Sequence, residues 1–287
     1  MKIDLQGKNI LVTGGSMGIG KAVAEACLRA GAKVLICARG LDALNKTLEE
    51  LRTTYQGRIH AMPADVTSST DVDKAIAVVE RELGPLSGVA NAAGIYGPIG
   101  PVDITDPEDW LEAIRVNLFG SYIVARQSCI ALKRNGGGRL AFFSGGGASS
   151  PFPNYTAYAC SKAAVVRFVE TLAKEMAEYR IEANCIAPGF VVTRLHQKTI
   201  EAGANAGEDF LERTKAAVEK GEDVPASVGG DCAAFLLSGG AEGITGKFIA
   251  AQYDGYIQWP EHLRTLRESD VFTLRRVIPK DRGMDWQ

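Results

Sequence analysis

The chain has 287 residues, 46% of them hydrophobic and 23% charged, which suits one large globular domain with a sizeable core rather than two ordinary ones. Lys and Arg number 32 against 34 Asp and Glu, a formal charge of -2, so no global basic field recruits nucleic acid or an anionic membrane, and a small soluble partner is expected. The first strand-like run follows almost at once on Met1, and no apolar stretch has the length of a signal peptide's core or a membrane span, so a cytoplasmic protein is expected. Six scattered cysteines (Cys27, Cys37, Cys129, Cys160, Cys185, Cys232) lack C-x-x-C or Cys/His ligand spacing, which predicts core thiols, no disulfides and no metal.

In chain order, a strand is predicted over Asn9 to Val12, followed by the glycine-rich run Thr13 to Gly20 and a helix over Lys21 to Ala30. A strand at Lys33 to Ala38 and a helix at Asp42 to Tyr55 come next, then a strand at Ile59 to Met62 and a helix at Ser69 to Leu83. Leu86 to Ala90 reads as strand, Pro107 to Lys133 as one long helix, Leu140 to Phe143 as strand and Ala157 to Tyr179 as helix. Strands at Ile181 to Ile186 and Lys247 to Ala251 complete the series, with a helical period between them at Glu208 to Gly221. The strands are short and apolar on both faces, and the helical stretches repeat their apolar residues every three or four positions. That alternation predicts a doubly wound α/β fold: a parallel sheet of about seven strands with helices on both faces, and a ligand crevice at the carboxyl ends of the strands.

The motifs fall at those ends. Gly14, Gly18 and Gly20 permit a tight turn between the first strand and first helix, where free N–H groups and the positive end of the helix dipole suit a pyrophosphate. Tyr158 and Lys162 are four residues apart, so on a helix they share a face, and a fixed cation beside a phenol stabilises the phenolate. Tyr158 thereby becomes a candidate proton donor. In isolation such a pair is more often a surface helix carrying Tyr and Lys by chance.

Taken together, T-G-x-x-x-G-x-G at Thr13 to Gly20, Asn91-Ala92-Ala93-Gly94, Asn117, Tyr158-x-x-x-Lys162 and Pro188-Gly189 resemble the classical short-chain dehydrogenases/reductases over roughly residues 5 to 255. The resemblance implies a single Rossmann-type domain, residues 1–256, that binds a nicotinamide dinucleotide and exchanges hydride with a small-molecule carbonyl or alcohol. It assigns catalytic roles to Tyr158, Lys162 and Asn117, although Asn117 read alone is equally a helix cap or kink. Cofactor contacts are implied at Gly14, Ser16, Met17, Gly18, Ile19, Gly20, Asp65, Val66, Asn91, Ala92 and Gly94, at Tyr158 and Lys162, and at Pro188, Gly189, Val191 and Thr193. A homodimer or homotetramer is implied in the same way. At the second strand's end stands Arg39, with no carboxylate from Lys33 to Leu41, which favours NADP(H) over NAD(H) because a guanidinium pairs with a 2′-phosphate. Met17 lacks the second basic residue that some NADP-binding relatives carry in the glycine turn.

One position departs from the family pattern. The family's catalytic serine stands 13 residues before the tyrosine, and here that position is Gly145. Three readings stay open: a bulge that brings Ser144 into place, a substitute donor such as Ser149, Ser150 or a glycine N–H, and an impaired catalyst. The last leads to a rival reading, a dinucleotide-binding regulatory or scaffold protein. A further rival is elimination or epimerisation with tightly held cofactor.

Residues 194–223 are expected to form a substrate lid with glycine hinges at Gly203 and Gly207. His196 within it reads as a substrate contact or solvated polar residue rather than a catalyst, and Phe152, Tyr155 and Phe190 as an apolar wall or as packing. Residues 257–287 run past the family's usual end and contain Trp259, Phe272 and Trp286, so they are expected to pack on the domain, on a partner subunit, or over the active-site mouth, where Arg275, Arg276 or Lys280 would meet an anionic substrate.

Overall fold

The computed structural model describes residues 3–286. Seven strands, β1 (Asn9–Thr13), β2 (Lys33–Ala38), β3 (Ile59–Pro63), β4 (Gly88–Asn91), β5 (Gly138–Phe143), β6 (Ile181–Ala187) and β7 (Phe248–Ala250), form one sheet in the order β3-β2-β1-β4-β5-β6-β7. Every neighbouring pair is parallel. The order reverses between β1 and β4, whose ends are level because Thr13 pairs with Asn91, and a crevice opens at that switch point.

Alternation along each strand divides the core in two. Ile10, Val12, Val34, Ile36, Ala141 and Phe143 face one layer, and Leu11, Leu35, Leu140 and Phe142 face the other. The first layer is covered by α1 (Gly18–Arg29), α2 (Leu41–Thr54) and a later helix over Ala226–Leu237. The second is covered by α3 (Ser69–Glu82), by α4 (Pro107–Ile114) and α5 (Gly120–Arg134), and by α6 (Thr156–Glu175). Local chemistry fixes several starts: Ser68 accepts from the Asp71 N–H at 3.2 Å to cap α3, and Asp106 caps α4 with Pro107 in its first turn. Helices α7 (Arg194–Ala202) and α8 (Glu208–Lys220) stand over the carboxyl ends of the strands, followed by α9 (Ala226–Leu237) and α10 (Leu263–Glu268).

Several elements differ from the sequence expectation, α7 and α10 among them as helices that no apolar period announced. The single helix expected over Pro107 to Lys133 is interrupted by a π turn at Arg115–Phe119 that contains Asn117. Helix α9 escaped the periodicity argument because it is buried almost all round and so has no polar stripe. It lies against α1 so closely that a Cβ at Gly230 would sit 2.7 Å from the Ala22 carbonyl oxygen. All six cysteines are free, and five are buried.

The segment after residue 256 packs on its own domain. Trp259 and Leu266 join the layer beneath α9, and Trp259 lies 4.3 Å from the Phe272 ring, centroid to centroid. Phe248 of β7 donates its N–H to the Phe272 carbonyl at 2.8 Å, and Lys247 donates to the Val271 carbonyl at 2.9 Å, so the segment covers the outer edge of the sheet. Glu170 of α6 accepts the Leu274 N–H at 2.6 Å. Among the described residues none beyond Tyr253 lines the cavity at the strand ends, and Arg275 is paired with Asp270 and Asp281, so the expectation that this segment meets a substrate there is corrected.

Candidate active site

Two adjoining cavities open at the switch point, of about 850 and about 500 Å³, sharing Ile19, Thr193 and Leu195 as wall. The smaller is lined by Gly14, Ser16, Met17, Gly18, Ile19, Gly20, Asp65, Val66, Ala92 and Gly94, ten of the residues assigned to cofactor on the resemblance, and by Arg39, assigned from its charge. Its floor is backbone. A Cβ on Gly14 would lie 2.8 Å from the Ala93 nitrogen, and one on Gly20 would lie 2.7 Å from the Gly14 carbonyl carbon, so only glycine allows α1 to start this close to β4. Helix α1 has 12 residues and no side-chain cap, which leaves its first N–H groups directed at the cavity. Arg39 lies on the wall and makes no ion pair among the described residues. A dinucleotide's phosphates therefore fit this cradle.

Asn91 is placed differently. Its side chain accepts from the Thr13 hydroxyl at 2.5 Å and donates to Ser121 Oγ at 2.9 Å, bracing β1, β4 and α5, and it is not part of the cavity wall. Pro188, Gly189 and Val191 line the larger cavity, and Thr193 lines both. Asp65 uses one carboxylate oxygen on the Thr67 N–H and hydroxyl, each at 2.8 Å, which fixes the turn after β3.

Tyr158, on the first turn of α6, reaches the larger cavity with only 8% of its surface exposed. Burial pushes its phenol well above the usual value, so the hydroxyl is neutral. Burial also pulls Lys162 down to about 8. The Lys162 ammonium lies 5.6 Å from the Tyr158 ring centroid and donates to the Phe143 carbonyl at 2.9 Å. Burial therefore sets the direction for the phenol, upward, where a value lowered by the neighbouring cation was expected from sequence. Asn117 is wholly buried: it donates to the Ile95 carbonyl (2.8 Å) and Ser161 Oγ (2.9 Å) and accepts the Ile95 N–H (2.9 Å). Its own carbonyl accepts the Ser121 hydroxyl at 2.5 Å. Lys162 Nζ and Asn117 Oδ1 converge beneath Gly94, 3.3 and 3.2 Å from where a Cβ would stand.

The departure at Gly145 has a steric basis. A Cβ there would overlap the Tyr158 hydroxyl oxygen and lie 3.0 Å from its Cζ, so the phenol occupies the space a side chain at 145 would need. Ser144 extends the ladder, its N–H donating to the Ile186 carbonyl at 2.8 Å, and its hydroxyl donates to the Lys162 carbonyl at 3.2 Å on the α6 side. No bulge turns it toward Tyr158. Ser149 and Ser150 are exposed and outside the cavity.

The larger cavity is walled by Tyr96, Phe152, Phe190, His196 and Phe210, with Arg213, Gln252 and Tyr253 at its more exposed side. Tyr155 stands behind the wall, stacked on Phe152 at 4.2 Å and donating to Thr199 Oγ1 at 3.0 Å. His196 is buried, against the expectation of a solvated residue. Its Nδ1 accepts the Thr193 N–H at 3.3 Å and caps α7, and burial lowers its pKa to about 4.

A sequence profile described as short chain dehydrogenase matches residues 8–203, more than half of the chain. The chain belongs to the classical short-chain dehydrogenase/reductase family. Its members are oxidoreductases that bind a nicotinamide dinucleotide. The chain is similar to 2,3-dihydro-2,3-dihydroxybenzoate dehydrogenase of Bacillus subtilis, 32% identical over 246 residues that cover 84% of this chain and 93% of that one. A 3-oxoacyl-acyl-carrier-protein reductase of Mycobacterium tuberculosis is 29% identical over 242 residues, covering 84% and 90%. Among solved structures, an actinorhodin polyketide ketoreductase with NADPH superposes with a TM-score of 0.77 at 29% identity, covering 86% of this chain and 97% of that one.

For a short-chain dehydrogenase/reductase, the wall residues Tyr96, Phe210, Arg213, Gln252 and Tyr253 are not singled out by any motif in the sequence. Arg213 stacks over Phe190, 4.6 Å from its ring centroid. Phe210 was legible as an apolar position of α8, but nothing in its spacing tells a cavity wall from a core. Tyr96 stands two residues after Asn91-Ala92-Ala93-Gly94, and only the fold shows its ring edge against Tyr158, 4.8 Å between centroids.

Proposed function

We propose that this chain is an NADP(H)-dependent oxidoreductase that interconverts a carbonyl and a secondary alcohol, with Tyr158 as proton donor in reduction and acceptor in oxidation. The observation that carries the reading is the neutral Tyr158 hydroxyl at the wall of a cavity that adjoins the glycine cradle. A nicotinamide dinucleotide supplies or takes the hydride when bound. Gly14, Gly18 and Gly20 and the α1 N-terminus would hold its pyrophosphate, Arg39 a 2′-phosphate, and Pro188, Gly189, Val191 and Thr193 its nicotinamide end. Tyr158 gives its hydroxyl proton to the carbonyl oxygen as the alcohol forms. Lys162, directly behind the phenol, stabilises the negative charge left on it. Asn117 holds the π turn against Ile95 and α6, which fixes the floor on which both groups stand.

Preference for NADP(H) rests on Arg39, unpaired on the cavity wall, and on the lack of a carboxylate from Lys33 to Leu41. The aromatic wall excludes water from the reacting carbonyl and suits an apolar or ring-bearing substrate. Exposed Leu111, Phe119, Tyr122 and Ile130 on the outer faces of α4, the π turn and α5 support assembly as a homodimer or homotetramer.

The test is a parallel titration with NADPH and NADH followed by turnover on a ketone panel. NADPH should bind at least about tenfold more tightly, a 1.4 kcal/mol preference. Tyr158→Phe should bind cofactor normally and lose nearly all turnover. Equal affinity for the two cofactors refutes the NADP(H) preference, and unchanged turnover in Tyr158→Phe refutes its catalytic role.

A further inference from the structure

A carbonyl that takes up hydride develops negative charge on oxygen. Catalysts of this kind place a second fixed donor beside the one that transfers the proton. Here the residue type expected for that task is missing at position 145, and neither Ser144 nor Ser149 nor Ser150 faces the phenol. We infer that Tyr96, oriented by His196, donates this second hydrogen bond to the substrate oxygen. The inference rests on the carbonyl and alcohol reading above.

Placement is the first support. Tyr96 and Tyr158 line the same cavity in an edge-to-face pair, with rings 4.8 Å apart at 87°. Of the side-chain donors on that wall other than Tyr158 and Ser144, only Tyr96 and His196 are buried, at 4% and 7% exposure, whereas Arg213, Gln252 and Tyr253 are exposed and the half-buried Thr193 hydroxyl is engaged by the Leu195 N–H at the start of α7. The neighbouring Tyr155 hydroxyl is committed to Thr199.

Proton bookkeeping is the second. His196 Nδ1 accepts the Thr193 N–H, so the ring's own proton is assigned to Nε2. Nε2 lies 3.5 Å from the Tyr96 hydroxyl oxygen and therefore donates to it. A phenol that accepts from His196 retains its O–H, and no other partner engages that hydroxyl among the described residues. The hydroxyl keeps a free donor, and Tyr96 is part of the cavity wall. Burial also raises the Tyr96 phenol far above neutrality and lowers His196, so the donor and its support are both neutral in ordinary buffers. The two tyrosines divide the work: Tyr158 gives up its proton, and Tyr96 keeps its own and stabilises charge. His196 acts through Tyr96 and is a positioning residue.

Tyr96→Phe keeps the ring and removes the donor. With 2,2,2-trifluoroacetophenone and 2,3-butanedione as probes, its kcat should fall about 10²- to 10³-fold, the usual loss for one such donor. The Kd of the same ketone for NADP⁺-loaded protein, which cannot turn over, should change only about threefold, because the bond strengthens as charge develops. His196→Gln should lower kcat about tenfold with little change in KM, and the double variant should be no slower than Tyr96→Phe alone, since His196 reaches the reacting oxygen only through that hydroxyl. Unchanged NADPH affinity and thermal midpoint certify the fold. Should Tyr96→Phe lose stability, His196→Gln and its KM-against-kcat split carry the decision.

Turnover within threefold of wild type in Tyr96→Phe overturns the assignment in favour of a backbone N–H. A 10²-fold loss in Ser144→Ala with Tyr96→Phe intact overturns it in favour of Ser144. If wild type reduces neither ketone nor any other carbonyl tried, the parent reading falls and takes this one with it. Active wild type with an indifferent Tyr96→Phe removes this one alone.

Discussion

Restoring the family's serine at position 145 should harm this protein. The φ angle at Gly145 is not in the left-handed region, so the backbone tolerates a side chain, and the obstacle is Tyr158. A Cβ would overlap the phenol oxygen and stand 3.0 and 3.1 Å from Cζ and Cε1, all of them rigid parts of the ring. The ring has little room to retreat. Tyr96 packs edge-on at 4.8 Å, Phe152 lies 6.3 Å away, and the same helix carries Lys162, tied to Phe143. Forcing extra atoms into such a place costs about 1–3 kcal/mol. For a chain of this size that is a fall in thermal midpoint of about 2–4 °C per kcal/mol. Gly145→Ser should therefore melt several degrees lower and turn over more slowly than wild type, because the displaced phenol no longer meets the carbonyl oxygen. Differential scanning calorimetry and single-turnover reduction of a ketone by pre-bound NADPH measure the two effects. A variant at least tenfold faster, with an unchanged midpoint, would refute the reasoning and show Tyr158 free to make way for a conventional site.

Other consequences are as direct. Arg39→Ala should weaken NADPH by about tenfold or more, the loss of a charge-assisted contact, and leave NADH within about twofold, as read by calorimetric titration; equal losses for both would remove Arg39 as the phosphate reader. Lys162 has its folded pKa lowered from 10.5 to about 8, so between those values the unfolded chain holds more protons than the folded one, and stability should rise with pH through that window. Its contribution is of order 3 kcal/mol across the window, and a chemical-denaturation series from pH 7.5 to 10.5 should show the rise in wild type and not in Lys162→Met. Trp259→Ala should cost about 3–5 kcal/mol, since its ring is buried against Phe272 and the α9 layer; a loss under 1 kcal/mol would mean that the segment after residue 256 only rests on the sheet edge.

Much of this architecture could be read from the chain, for reasons that are local. Each strand begins and ends within two residues of its sequence expectation, because a run such as Val34 to Ile36, apolar on both faces, fits only a covered parallel sheet. Glycines in the first turn betray the cradle, since a Cβ at Gly14 or Gly20 has no room. What stayed hidden depended on burial or on distant partners. Helix α9 is enclosed and shows no stripe. The break at Asn117 arises from bonds to Ile95 and Ser161 on separate elements. The rise in Tyr158's pKa could not be inferred from Lys162 four residues away, because the sign is set by how deeply the phenol sits, and that depth depends on the side chain missing at Gly145. Tyr96 and His196, 100 positions apart, meet only when α7 folds over the strand ends.

These three features act on one another and give the site a direction. With no side chain at 145 the phenol has room to sit deep in the wall, and burial raises its pKa so that the hydroxyl is neutral in ordinary buffers. A neutral phenol is ready to donate, so reduction needs no prior ionisation. Oxidation of the alcohol needs a base, and the ionised fraction of Tyr158 rises tenfold per pH unit while staying small. From about pH 7 upward Lys162, with its pKa lowered to about 8, progressively loses the charge that favours the phenolate, which flattens that rise. Initial rates should therefore show reduction nearly independent of pH from 6 to 8, and oxidation climbing close to tenfold from pH 6 to 7 and less steeply from 7 to 8. An oxidation rate independent of pH between 6 and 8 would mean that Tyr158 is already ionised beside bound cofactor, and that the deep seat of the phenol is not what governs the chemistry.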